Sequence, residues 1–121
     1  MATMLVVDDE REITQVLADF LTSRGHDVSE AQSGTQALAL AHQHHFDVIF
    51  LDILMPGMNG NETLQHLKQD FPRTIFIMIS GTSDEDTAVK SLELGAFDFI
   101  TKPFEFSRLD SVVALGLAAL S

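Results

Sequence analysis

Four short apolar runs stand out along the chain, at residues 4–7, 48–51, 75–79 and 97–100. The first three are almost unbroken, which is how strands read when both faces of the sheet are covered, as in a parallel sheet. Residues 27–31 form a fifth, weaker run in which polar and apolar side chains mix, the pattern expected of a strand at a sheet edge. Between the runs the period changes. Ile13, Val16, Leu17, Phe20 and Leu21 fall at i, i+3, i+4, i+7 and i+8, the stripe of an amphipathic helix of about 14 residues that Gly25 would close. Weaker helical patterns cover 33–44, 60–69 and 84–94, the last followed by Gly95, and a final helix is expected from about 107 to 120.

Strand and helix therefore alternate five times. Right-handed crossovers place helices on both faces of an open parallel sheet, and the common strand order for five such units is 2-1-3-4-5, a flavodoxin-like doubly wound α/β fold. No linker or internal repeat divides the chain, so residues 1–121 are expected to form one domain. Hydrophobic residues make up 45% and charged residues 21%, ordinary for a chain that folds throughout. There is no cysteine, which excludes disulfides and thiolate metal sites. A net charge of −11 would repel the phosphate backbone of DNA or RNA, so nucleic-acid binding by this chain is not expected. No apolar run approaches the roughly 18 residues of a membrane span, and Met1-Ala2-Thr3 lacks the basic flank of a signal peptide. A soluble, cytoplasmic protein with no membrane contact is the expectation.

In open parallel sheets the functional crevice lies beyond the carboxyl ends of the strands. Here those ends carry Asp8-Asp9, Asp52, Ser80 and Thr101-Lys102-Pro103. Three carboxylates brought into one pocket repel one another and lose solvation unless a cation compensates. Oxygen-only ligands select a hard divalent ion, and few carboxylates beside a phosphate suit Mg²⁺. Any one of these acids alone reads as a helix cap or turn residue. A second cluster, His42, His44 and His45, offers two imidazoles to one helix face, but no third ligand follows at a telling distance. Placement at a helix C-terminus, where the dipole favours imidazole, is the preferred reading of those histidines.

The chain resembles the receiver domain of two-component response regulators over nearly its whole length. The resemblance is carried by Val6-Val7-Asp8-Asp9-Glu10, by Asp52-Ile53-Leu54-Met55-Pro56-Gly57-Met58-Asn59-Gly60, by Ser80-Gly81 and by Lys102-Pro103-Phe104, in that order and on those strand ends. It implies that Asp52 is the phosphoacceptor, whose carboxylate attacks the phosphorus of a phosphohistidine on a sensor histidine kinase or phosphotransfer protein. It further implies that Asp9, Asp52 and the Leu54 backbone carbonyl ligate Mg²⁺ directly, with Asp8 acting through water. Lys102 would pair with the phosphoryl oxygens, the Ser80 hydroxyl would donate to one of them, and Gly81 would leave the approach open. Lys102-Pro103 resembles the family's cis step, which aims the lysine into the pocket. Phe99 matches the switch aromatic, although strand alternation also allows it a plain core role. As phenylalanine it lacks the hydroxyl that many members carry there.

The implied function is a phosphorylation-controlled signalling module rather than a turnover enzyme, with the face formed by the fourth helix, fifth strand and fifth helix controlling a partner or output domain. A phosphohydrolase of the haloacid dehalogenase type would carry a second Asp two residues after the nucleophile, and that position is Leu54. Residues 111–121 contain no charge, and while Leu109, Val112, Val113, Leu117 and Leu120 can face the core, Leu115 falls on the opposite side. That surface suits either a homodimer through the last helices or contact with a C-terminal output domain in a longer chain. In this family the positions two beyond the acceptor and two beyond the Ser flank the path of hydrolytic water. Leu54 and Thr82 occupy them here, which implies a long-lived phosphorylated state.

Overall fold

The computed structural model describes residues 1–81 and 85–120. Five strands alternate with five helices: β1 (Thr3–Val7), α1 (Arg11–Ser23), β2 (Asp27–Ala31), α2 (Gly34–Gln43), β3 (Val48–Asp52), α3 (Gly60–Asp70), β4 (Ile75–Ser80), α4 (Glu85–Glu93), β5 (Asp98–Thr101) and α5 (Phe106–Leu120). All pairings are parallel and the strand order is β2-β1-β3-β4-β5, as the alternation of patterns predicts. None of the described helices is long and apolar enough to cross a membrane.

The pleat divides the core in two. Met4, Val6, Val48, Phe50, Ile77 and Ile79 face α1 and α5, where Leu17, Leu21, Leu109 and Val112 close over them. Their sequence neighbours Leu5, Val7, Ile49, Leu51, Phe76 and Met78 face the other way, onto Ala37 and Ala41 of α2 and Leu64 and Leu67 of α3. Beyond the first residue of β1 and of β4, every residue of the central strands is thus buried on one side or the other, which is why those strands read as continuous apolar runs. Burying a Leu or Phe side chain in such a core contributes roughly 1.5–3 kcal/mol.

Local signals fix the helix ends. Gly25, at φ 89°, stops α1, and the His26 N–H reaches back to the Leu21 carbonyl at 3.2 Å. The Ser33 hydroxyl accepts the Gln36 N–H at the start of α2, and Asn59 and Glu62 form a reciprocal capping box at the start of α3. That box anchors the loop following Asp52. Gly60 is required there: a Cβ would collide with the Asp52 carbonyl oxygen and the Ile53 Cα.

Three expectations shift. Val16 is 47% exposed, and its place in the buried arc of α1 is taken by Thr14, whose hydroxyl donates to the Arg11 carbonyl at 3.0 Å and accepts from Gln32 at 3.2 Å. Leu120 is exposed rather than core-facing. The fifth strand begins at Asp98, not Phe97. At that open edge Arg108 of α5 donates to the Asp98 carboxylate at 3.2 Å and to the Phe99 carbonyl at 3.1 Å, while Asp98 Oδ1 accepts the Phe99 N–H at 2.8 Å.

Candidate functional site

The carboxyl ends of β1, β3, β4 and β5 deliver the side chains that the strand-end pattern singles out. Asp8 is fully buried directly after β1, Asp52 and Ser80 are buried as the last residues of β3 and β4, and Lys102 follows β5. Backbone bonds hold these ends in register: Ile53 N–H to Ile79 O at 2.9 Å, Lys102 N–H to Ser80 O at 2.8 Å and Asp8 N–H to Ala31 O at 3.1 Å. The Lys102–Pro103 peptide is cis.

Lys102 gathers the acids. Its Nζ lies 2.7 Å from Asp8 Oδ2, 3.7 Å from Asp52 Oδ2 and 3.7 Å from Glu10 Oε1. Asp8 Oδ1 is occupied differently, accepting the Glu10 N–H at 2.9 Å. The buried Oδ2 has the ammonium beside it but receives no hydrogen bond of good direction. It is compensated in charge and unsatisfied in geometry.

The electrostatics follow from this crowding. Burial, reinforced by the neighbouring Asp8 and Asp9 charges, pushes the Asp52 carboxyl up to about 7, against the opposing pull of Lys102 and the Leu54 N–H. Burial alone would lower the Lys102 ammonium, but Asp8, Asp52 and Glu10 together raise it. The pocket holds more negative charge than its one lysine balances.

One carboxylate oxygen each from Asp8, Asp9 and Glu10 lie within 4.8 Å of one another, the one such acid or histidine group among the described residues. A hard divalent cation fits this donor set: all ligand atoms are oxygen, and one of them is a buried carboxylate oxygen lacking a directed donor. Asp52 meets the group through Lys102 rather than as a member of it. Glu10 is the residue that strand-end reasoning passed over. Its one signal is that it continues the acidic run Asp8-Asp9-Glu10.

The remaining candidates lie around this centre. A Cβ on Gly81 would touch only the Lys102 side chain, at 3.8 Å, so the approach over β4 is open there. Phe99 is half-buried and packs against the core on the α2–α3 side. The Leu54 side chain is 63% exposed beside the acceptor. Thr82 lies outside the described residues. The histidines are engaged separately: His42 pairs with Asp70 at 3.3 Å, His45 with Asp47 at 3.0 Å, and the His44 ring meets Phe46 edge-on.

Residues 4–114 match the family model for the response regulator receiver domain. The chain is 42% identical over 109 residues to the transcriptional regulatory protein CpxR of Klebsiella pneumoniae, covering 90% of this chain and 46% of that protein. It is 34% identical over 114 residues to the regulatory protein AtoC of Escherichia coli, covering 94% of this chain and 25% of that one. It therefore spans between a quarter and a half of these curated relatives. Among solved structures, a response regulator receiver domain protein from Clostridium thermocellum superposes with a TM-score of 0.92 at 29% identity, over 98% of this chain and 95% of that chain.

Proposed function

Because this chain belongs to the response regulator receiver domain family, whose work is phosphorylation-based two-component signalling, we propose that Asp52 is its phosphoacceptor. The observation that carries the assignment is the burial of Asp52 at the end of β3 with Lys102 and Asp8 converging on it. A surface acid or a helix cap would have no such company.

In the proposed reaction an Asp52 carboxylate oxygen attacks the phosphorus of a phosphohistidine on a sensor kinase or phosphotransfer protein. The P–O bond forms as the P–N bond breaks, and the imidazole leaves with the electron pair and takes up a proton from solvent. Asp9, Asp52, the Leu54 carbonyl and, through water, Asp8 would hold Mg²⁺, which supplies charge neutralisation for the transferring group. Lys102 would move from Asp8 to the phosphoryl oxygens, and the Ser80 hydroxyl would donate to one of them. Phe99 would turn inward in response and alter the face built by α4, β5 and α5.

On this reading the chain is a signalling acceptor that catalyses only its own phosphorylation and slow dephosphorylation. It would act in the cytoplasm as a single receiver unit. The α4–β5–α5 face would act against an output domain or against a second copy; the curated relatives are longer than the region this chain matches. The test is incubation with acetyl phosphate and Mg²⁺ followed by intact-mass measurement. Stable gain of one phosphoryl group, absent from Asp52→Asn, supports the assignment, and labelling of the variant overturns it.

A further inference from the structure

We propose that Gly34, at the start of α2, is a positioning residue for the acceptor loop and acts through Thr63 of α3. The inference rests on reading Asp52 and the Leu54 carbonyl as parts of a cation-dependent phosphoacceptor site. Helix α2 lends that site no side chain, yet its first residue is buried against the far end of the loop that leaves Asp52. Glycine is a poor helix former, and Ser33 already caps α2, so local structure does not ask for it there. Space does. A Cβ at Gly34 would overlap the Thr63 hydroxyl and stand 3.2 Å from the Met58 carbonyl oxygen and 3.3 Å from the Met58 Cβ.

These neighbours are braced. Thr63 is fully buried, and its hydroxyl donates to the Asn59 carbonyl at 2.8 Å, a bond lost if the side chain turns away. Asn59 caps α3 together with Glu62, and the Gly60 N–H donates to the Ile53 carbonyl at 2.9 Å. Ile53 is tied in turn to Ile79 of β4. The loop is thus gripped at Ile53 from the sheet and at Met58 and Asn59 from α2 and α3, with Leu54 between the grips. A methyl group at Gly34 presses on the second grip and shifts the Leu54 carbonyl relative to the Asp52 carboxylate. Errors of this kind are costly, since a misplacement of about 1 Å can slow a reaction on the order of 100-fold.

The alternative is that Gly34 serves packing alone, so that filling it costs stability and nothing else. Val112, fully buried against the opposite face of the sheet, provides the comparison. The experiment measures Mg²⁺ affinity by isothermal calorimetry, labelling rate with acetyl phosphate by intact mass, and thermal melting. The full chain is compared with Gly34→Ala, Thr63→Ala, the double variant and Val112→Ala. Gly34→Ala is expected to bind Mg²⁺ roughly tenfold more weakly, and Thr63→Ala and the double variant each about threefold, because removing the hydroxyl loosens the grip and also makes room for the methyl. Val112→Ala is expected to melt lower with a change in affinity below about twofold, and labelling rates should follow the same order. Parent-like affinity in a folded Gly34→Ala, or a tenfold deficit that persists in the double variant, overturns the inference. So do equal deficits in Thr63→Ala and Val112→Ala, a comparison that stands even if Gly34→Ala does not fold. Each of these leaves the phosphoacceptor assignment in place, whereas a parent chain that takes up neither Mg²⁺ nor phosphoryl groups overturns both.

Discussion

The hydroxyl of Ser91, fully buried on α4, donates to Oδ1 of Asn61 in the first turn of α3 at 2.7 Å, thirty residues away along the chain. It fastens α4 to the helix that begins just after the acceptor loop. Replacing Ser91 by Ala leaves the half-buried Asn61 oxygen without that donor and is expected to destabilise the chain by about 1 kcal/mol. Urea denaturation measures this, and hydrogen exchange is expected to quicken mainly in α4. Unchanged midpoint and exchange would mean that the bond fastens nothing.

The contribution of Asp52 to the stability of the metal-free protein is expected to be less favourable at neutral than at mildly acidic pH. Its carboxyl titrates near 7 when folded against about 4 when unfolded, so between those values the native state holds the extra proton and stability falls as pH rises. Asp52→Asn removes that penalty. The variant is expected to melt above the parent at pH 8 by an amount on the order of a few kcal/mol, and close to the parent at pH 4. Mg²⁺ should narrow the gap at pH 8. A gap that is the same at both pH values would refute the assignment of the penalty to this carboxyl.

Asp47 has the opposite sign. Its carboxylate accepts the Thr3 N–H at 2.9 Å, and that bond chiefly holds its pKa below the usual carboxylate range, with His45 adding to the effect. The stability this contributes is complete above about pH 4, the unfolded value, and disappears as pH falls through the depressed folded value. Asp47→Asn is expected to cost about 1 kcal/mol at pH 7, a deficit that shrinks as the solution is made acid, by denaturant titration at each pH. A deficit that persists in acid would count against the charge-assisted bond.

Phosphorylation is expected to promote self-association through α4, β5 and α5, where Val89, Leu92, Leu115 and Leu120 are exposed. Light scattering with and without beryllofluoride, a phosphoryl mimic, tests this. Leu115→Glu should abolish the increase. A monomer under both conditions would assign the surface to a neighbouring domain.

The aspartyl phosphate is expected to decay slowly. An in-line water needs a polar group to orient it, and the exposed Leu54 side chain offers none. Leu54→Asn combined with Thr82→Glu should shorten the phosphorylated lifetime roughly tenfold or more once donor is removed, as orientation effects of this kind allow. No acceleration in the double variant would clear both positions of any role in the lifetime.

How far the chain could be read in advance depended on what buried each residue. Strands β1, β3 and β4 were plain because both of their faces are covered, and the strand ends then pointed to Asp8, Asp52, Ser80 and Lys102. Periodicity counts apolar residues, so it missed Thr14, which is buried because its hydroxyl is satisfied on two sides. For the same reason it could not see the Ser91–Asn61 bond, whose partners share no local pattern. Glu10 was hidden by position: an acid at the start of a helix has an ordinary explanation, and only the placement of Lys102 sets it apart.

Both main-chain groups of Phe99 are engaged from its own side of the sheet, the N–H by Asp98 and the carbonyl by Arg108. An outer strand with free groups is an invitation for a foreign strand to add on, and chains that leave it open risk growing into fibres. Here two charged side chains hold the groups such a visitor would need at that residue. The aromatic ring of Phe99 packs against the core while its backbone stays pinned. Strand addition at this border, which is hard to reverse, is thereby disfavoured.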